Sequence, residues 1–472
     1  MNTAQRIAKN FFSLAAANII ASLLGFVATV YLARVLGPGG FGQIYFAIAI
    51  IAYFMLIANL GLPMLGTREI ARDKNKIKDY VGNIVALRLT LAAIAFCLLL
   101  LFAFLIQKPT EIKYLIILYG LGLFPFALQL LWLFRGIEKM EYMAGSQIAG
   151  GVLYVASILY FIKSPEQLLA VPVIYVICTA FLPAVFLIFF SIRHFGRIPL
   201  KFDAPFWGSL LRQALPMGFA FVIAELYFHF DTVMLGFMRS NEEVGYYNAA
   251  YRIILLFVGL GGLYHVTIFP IISNYYKTSL ASLHRLLSLT AKLTVTISLP
   301  LAAGGTMLAK SIMNFIYPPE YGSGIIALQI LIWVIPVRLI GSVYGNSLIA
   351  CDRQSRFAIG VTIGAIINIV LNAILIPRFG IVAAAAITVV TLGAVVLYNY
   401  RQINKIVSVP FKGYLLRPLV ACFGMAAFLY FGSGWNMWLL IALAALLYFA
   451  LLFIIGGITK EDIRLIKEQF RR

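Results

Sequence analysis

The chain has 472 residues, 62% of them hydrophobic and 11% charged, with 37 Lys and Arg against 17 Asp and Glu. That composition excludes an ordinary soluble domain of this length, and the lack of strand-type alternation excludes a membrane barrel. The formal charge of +20 is spread over the loops that flank apolar runs, so it points to membrane topology and anionic headgroups, with no nucleic acid partner.

Taken in order, apolar runs of about 20 residues, long enough to cross roughly 30 Å of hydrocarbon, predict fourteen transmembrane helices in an all-α polytopic membrane protein. They lie near 11–33, 42–62, 80–106, 113–134, 143–162, 168–191, 213–237, 246–270, 286–309, 325–348, 356–376, 380–400, 414–432 and 436–457. The first run, opened by Arg6 and Lys9, is too long for a signal-peptide core and leads straight into a second span, so it is expected to stay uncleaved. Loops on the N-terminal side carry Arg68, Arg72, Lys74, Lys76, Lys78, Arg135 and Lys139, then Arg193, Arg197, Lys201 and Arg212. Loops on the opposite side hold only Arg34, Lys108, Lys113, Lys163, Arg239, Lys310 and Arg378. Both termini are therefore expected on the cytoplasmic face of the cell membrane.

A repeat organises the chain. "VLGPGGFGQIYFAIA" at 35–49 aligns with "MRSNEEVGYYNAAYR" at 238–252, and each short outer turn ends in a glycine, Gly42 or Gly245, before an aromatic-rich helix. "GIEKMEY" at 136–142 aligns with "ACDRQSR" at 350–356, which sets Glu138 and Lys139 against Asp352 and Arg353 in an inner loop. The expectation is two parallel six-helix lobes, 1–195 and 213–405, joined by a basic cytoplasmic linker at 196–212. Two further spans occupy 406–457, and the tail at 458–472 reads as a short amphipathic helix at the inner surface or as a solvated segment.

Catalytic signatures are missing. There is no GxxxxGK[ST] loop and no GxSxG elbow, and the glycine-rich "LGPGGFG" at 36–42 joins two spans, so it reads as a tight turn. His194, His229, His265 and His284 are scattered, and Cys97, Cys178, Cys351 and Cys422 lack metal-type spacing. The expectation is a protein that is not an enzyme, with no catalytic residue, metal or cofactor. Na+ or H+ as a coupling ion is the one small partner in view.

What is informative is charge inside apolar runs. Arg88, Glu225, Asp231, Arg252 and Arg338 each fall within a predicted span, where a lipid-facing charge costs several kcal/mol. Asp231 and Arg252 stand nearly equidistant from the turn at Asn241 and Glu242, so they fit either a structural ion pair or a pair that opens during gating. Glu225 has His229 one turn further along the same face, and the two with Asp231 are the candidates for ion coupling or gating. A buried, hydrogen-bonded Glu225 is the competing reading. Arg88, Arg252 and Arg338 would form a cationic ladder for an anionic head group if they face one cavity, since a guanidinium binds phosphate oxygens bidentately. Snorkelling of Arg88 and Lys292, and helix packing of the others, compete with that reading. Tyr227, Phe228, Tyr246, Tyr247 and Tyr251 could stack on sugar rings or belong to an interfacial belt, and Asn368 and Asn372, one turn apart, suit substrate contact or interhelical hydrogen bonds.

"NIVLNAILIPRFGIVAAAAITVV" at 368–390 resembles a segment of the Wzx-type polysaccharide flippases of the multidrug/oligosaccharidyl-lipid/polysaccharide superfamily. "ARVLGPGGFGQIYFA" at 33–47, "RGIEKMEYMA" at 135–144 and "FDTVMLGFMRSNEEVGYYNAAYRI" at 230–253 are similar to segments of the same family. The resemblance implies two six-helix lobes around a cavity and alternating access that moves a polyprenyl-pyrophosphate-linked glycan from the inner to the outer leaflet. Membrane lipids are implied partners, with a glycan polymerase or glycosyltransferases as candidates. A cation-coupled multidrug exporter of the same superfamily and a membrane glycosyltransferase or scaffold subunit are the alternatives. The exporters typically place a carboxylate in lobe one and have twelve spans, and this chain departs on both points.

Overall fold

The computed structural model describes residues 3–432 and 434–457, without the side chains of 3–15, 220, 221, 260–267, 411 and 412. The expected surface helix at 458–472 lies outside the described residues. Among the described residues all regular structure is helical: α1 Thr3–Asn59, α2 Leu62–Arg72, α3 Ile77–Leu105, α4 Thr110–Gly120, α5 Leu123–Leu128, α6 Leu131–Gly136, α7 Met140–Phe161, α8 Ala170–Tyr175, a π turn Val176–Phe181, and α9 Leu182–Phe195. Then follow α10 Ala204–Met238, α11 Asn241–Thr278, α12 Leu280–Ile316, α13 Gly324–Leu331, α14 Val334–Ala350, α15 Gln354–Ile403, α16 Phe411–Phe431 and α17 Met437–Ile454.

Ten helical stretches among the described residues are long and apolar enough to cross a membrane, and the bent pair Ala204–Phe219 and Val222–Met238, 56° apart, makes up to eleven. Two of those stretches are unusually long. Ala16–Asn59 has 44 residues and Gln354–Ile403 has 50, and each is interrupted by one glycine with non-helical angles, Gly37 at φ 67° and Gly380 at φ 52°. An L side chain is strained at such angles, and glycine is not, so a glycine stands at each break.

Two compact units divide the chain, Met1–Asn248 and Ala249–Arg472. In the first, the short amphipathic α2 buries Leu62, Leu65 and Ile70 against Ile84, Trp132, Leu133 and Leu210. Trp132 lies so close to Gly66 that a methyl there would meet its ring at 2.4 Å. The basic segment before α10 is tied to α3: Lys201 N–H donates to Gly82 O at 3.2 Å, and Lys201 Nζ pairs with Asp79 at 2.5 Å. Asp203 then caps α10 by accepting from Phe206 N–H at 3.1 Å. In the second unit, α16 and α17 pack on α12, and Tyr448 OH donates to Thr296 O at 2.8 Å from a fully buried position.

The two inner turns aligned by sequence share one geometry. Glu138 and Asp352 both adopt left-handed angles, at φ 60° and φ 58°. In each turn the next amide reaches five residues back, from Lys139 N to Phe134 O at 2.9 Å and from Arg353 N to Leu348 O at 2.8 Å. A left-handed residue after a helix aims the following N–H at the last free carbonyls, which is how both helices end.

Candidate functional site

Arg88 is buried in a hydrogen-bond network. It is 5% exposed in α3. Nη2 donates to Asn59 Oδ1 at 2.9 Å and to Phe126 O at 2.8 Å, and Nη1 donates to Gln129 O at 3.2 Å. The cause is the break between α5 and α6, where Gln129 turns extended (ψ 126°), so that its own carbonyl leaves the helix ladder and Phe126 O keeps only the 3.3 Å bond from Gln129 N–H. An unsatisfied carbonyl in hydrocarbon costs several kcal/mol, and a guanidinium carries enough donors to serve two at once. Gln129 continues the network: its Nε2 donates to Thr179 O at 3.1 Å and Ala180 O at 3.2 Å, inside the π turn whose wider winding frees those oxygens. A buried polar strut thus joins the end of α1, α3, the α5–α6 break and the π turn. Sequence reasoning missed it, although Gly120, Gly122 and Pro125 ahead of a lone Gln129 in an apolar run were a visible signal of a broken helix.

The carboxylates of α10 point to different surroundings. Residues 225 and 229 share a face, whereas 231 is rotated by about 240° from 225 at 100° per residue. His229 Nε2 stands 3.6 Å from Glu225 Oε2, within ion-pair range when the imidazole is protonated, and their side chains remain 21% and 33% exposed. The ring of Phe228 meets that of His229 edge-on at 5.0 Å. One residue past Glu225, the Leu226 carbonyl accepts from Tyr53 OH at 2.9 Å, tying α10 to α1.

Asp231, by contrast, is 4% exposed and accepts from Tyr247 OH at 2.9 Å. Tyr247, grouped by sequence with stacking or belt aromatics, is 2% exposed and acts as a hydrogen-bond donor between α10 and α11. Thr232 and Asn248 pair one step further, with Asn248 Nδ2 to Thr232 Oγ1 at 3.3 Å, and Arg239 bridges to Glu243 at 2.9 Å across the turn. Together these contacts fix the α10–α11 hairpin.

Arg252 in α11, Arg338 in α14 and Tyr227 in α10 are all partly buried. Arg338 sits in a helix turn closed by Ser342 Oγ donating to its carbonyl at 2.9 Å. Asn368 and Asn372 on α15 are 1% and 0% exposed. Lys292 is partly buried in α12. Arg88, Asp231, Asn368 and Asn372 are thus buried, whereas Glu225, His229, Tyr227, Arg252 and Arg338 are partly buried.

Known proteins resemble this chain at several levels. The probable flippase AglR of Haloferax volcanii is 34% identical over 172 residues, 35% of this chain and 36% of that protein. The probable low-salt glycan biosynthesis flippase Agl15 of the same organism is 25% identical over 186 residues, so the chain spans well under half the length of these two relatives. A putative O-antigen transporter of Escherichia coli K12 is 23% identical over 350 residues, 71% of this chain and 81% of that one. Among solved structures, the lipid II flippase MurJ in an inward closed conformation superposes with a TM-score of 0.73 at 16% identity, covering 97% of this chain and 99% of MurJ. An inward-facing multidrug resistance MATE family transporter of the MOP superfamily gives 0.65 at 13% identity, covering 84% and 98%. A family described as polysaccharide biosynthesis protein matches residues 7–276, more than half of the sequence. The chain therefore belongs to the polysaccharide biosynthesis protein family and is a multi-helical membrane protein with the fold that MurJ and the MATE transporters share.

Proposed function

We propose that the protein is a flippase that carries a polyprenyl-pyrophosphate-linked glycan from the inner to the outer leaflet by alternating access, coupled to a cation. The observation that carries this reading is the near-complete superposition on a lipid II flippase, 97% of the chain, against 84% for a multidrug transporter. Family membership and relatives described as flippases and an O-antigen transporter support it. A long anionic lipid needs no covalent chemistry from its carrier, only a wet, cationic interior and a route for the tail through lipid. In this reading α1 and α15 each cross twice, turning at Gly37 and Gly380, and with α10 and α11 the count returns to fourteen crossings.

Arg338 and Arg252 are the groups assigned to the diphosphate. A guanidinium's planar fork of donors matches phosphate oxygens in pairs. Glu225 and His229 are assigned to the coupling ion, Na+ or H+, because they share one face of α10 within ion-pair range and are partly exposed, and Tyr227 to the sugar.

Deleting the gene and identifying by mass spectrometry the lipid-linked saccharide that accumulates on the cytoplasmic face tests the substrate class. No accumulation of any such lipid would defeat the reading. Replacing Arg338 by Ala is expected to reduce export at least tenfold at unchanged membrane levels, with partial recovery in Arg338→Lys, and full activity in the alanine variant would remove Arg338 from the site.

A further inference from the structure

The two halves aligned by sequence end near residue 405, which leaves α16 and α17 outside the repeat. One hydrogen bond ties them to it. α12 carries Pro300 in its interior, and proline has no N–H to offer the carbonyl four residues back. That carbonyl is Thr296 O. Thr296 is 3% exposed, so bulk water cannot serve its oxygen, and a strong acceptor without a partner is not tolerated in a dry membrane interior. The donor is the phenol of Tyr448 on α17, at 2.8 Å and 152 positions further along the chain.

The surroundings hold this bond in place. Tyr448 is fully buried in one core with Ala291, Val295 and Leu299 of α12 and with Cys422, Met425 and Leu429 of α16. A methyl on Gly304, one turn past the proline, would stand 3.5 Å from Met425 Cε and 3.8 Å from Leu429 Cδ1, which are ordinary contact distances. The pair is itself closed: a methyl on Gly424 would meet Leu451 Cδ1 at 2.5 Å, and Arg417 Nη1 donates to Gly456 O at 2.5 Å. Phe315 of α12 also meets Trp438 of α17 edge-on at 5.3 Å. Phenylalanine at 448 would serve packing alone. A hydroxyl is needed only where a polar partner waits.

The first unit meets the same problem in the same way. Pro183 follows Thr179 by four residues, and Gln129 Nε2 donates to Thr179 O at 3.1 Å. In both units a side chain distant in sequence stands in for the N–H that a proline removes.

We propose that Tyr448 is a staple that closes the proline gap in α12, so that α16 and α17 are a required part of the second unit's fold and not an appendage to the repeated halves. A phenol suits the task, because its ring fills apolar space while its O–H serves the carbonyl. The bond also sets the register of α17 on α12, since Thr296 O is the one carbonyl that Pro300 leaves without its regular donor.

The test is a double-mutant cycle on the full chain in mild detergent, with Tyr448→Phe and Pro300→Ala made singly and together. Alanine at 300 restores the N–H that Thr296 O lacks. Tyr448→Phe is expected to lower the thermal midpoint by several degrees in the native chain, and by less than half as much beside Pro300→Ala. Equal losses in the two backgrounds would reduce Tyr448 to a packing residue and overturn the proposal, as would no loss in the native chain. If Tyr448→Phe does not fold, recovery of folded protein in the double variant supports the staple, and continued failure overturns it. Amide hydrogen exchange over 297–304 gives a second measurement. It is expected to rise several-fold in Tyr448→Phe and to return to the native level in the double variant; native-level exchange in Tyr448→Phe, or raised exchange in the double variant, would sink the idea.

Discussion

Arg88 and the Glu225–His229 pair both place ionisable groups in apolar helices, and they end in opposite circumstances. Arg88 is closed off and held by three oxygens from two other segments. Glu225 and His229 are partly open, with 3.6 Å between their nearest charged atoms. The contrast teaches that an intramembrane charge is not by itself a functional site. A guanidinium bonded to the carbonyls of a broken helix acts as a structural brace, whereas a partly exposed carboxylate–imidazole pair can change partner or protonation without unfolding anything.

The sharpest way to break this comparison is to remove Arg88. Arg88→Met should destabilise the protein by about 2–4 kcal/mol, because Gln129 O then lies unsatisfied in a dry interior while Phe126 O and Asn59 Oδ1 each lose a charged donor. Arg88→Lys should recover little, since one ammonium does not span the same three acceptors. Thermal unfolding in mild detergent, followed by size-exclusion chromatography, measures it. A wild-type midpoint in Arg88→Met would mean that the brace is idle.

A smaller effect is expected one step along the network. Gln129→Leu removes the donor to Thr179 O and Ala180 O and should cost about 1–2 kcal/mol, the scale of interhelical hydrogen bonds in membranes. Hydrogen exchange at 176–181 should rise with it, and unchanged protection there would show that the π turn holds itself.

Smallest in stability, yet most informative for function, is Glu225→Gln. A partly exposed pair at 3.6 Å contributes about 1 kcal/mol or less, so the folded protein should be nearly unaffected. Transport should nevertheless lose its dependence on pH or on sodium. A variant that keeps the wild-type dependence would place Glu225 beside Arg88, among groups that merely hold the fold.

Much of this was legible in the chain. Apolar runs of membrane length announced a helical membrane protein, and the aligned inner loops predicted that Glu138 and Asp352 would stand in equivalent turns, as their matching left-handed angles show. The equivalence of Gly42 and Gly245 was also visible as an alignment. Less legible was what each polar residue does. Asp231 was readable as a membrane carboxylate, but its phenolic donor Tyr247 looked like one more aromatic of a belt. Arg88 was readable as an intramembrane cation, but nothing in its neighbours along α3 indicated oxygens contributed by residues 59, 126 and 129. The copies also diverge where the repeat implies sameness: α1 stops at Asn59 and hands over to α2 through Leu60 and Gly61, both at positive φ, while α11 runs without a break from Asn241 to Thr278.

By itself the sequence determined which segments avoid water, where they turn and that the turns come in related pairs, because transfer free energy, glycine freedom and repeat periodicity are local properties summed along the chain. Only the tertiary structure decided which of the charged groups are buried and which stay partly exposed, and that the phenol of Tyr448 serves the Thr296 carbonyl. Those outcomes depend on donors, acceptors and empty space supplied by residues tens to hundreds of positions away, and no local pattern encodes them.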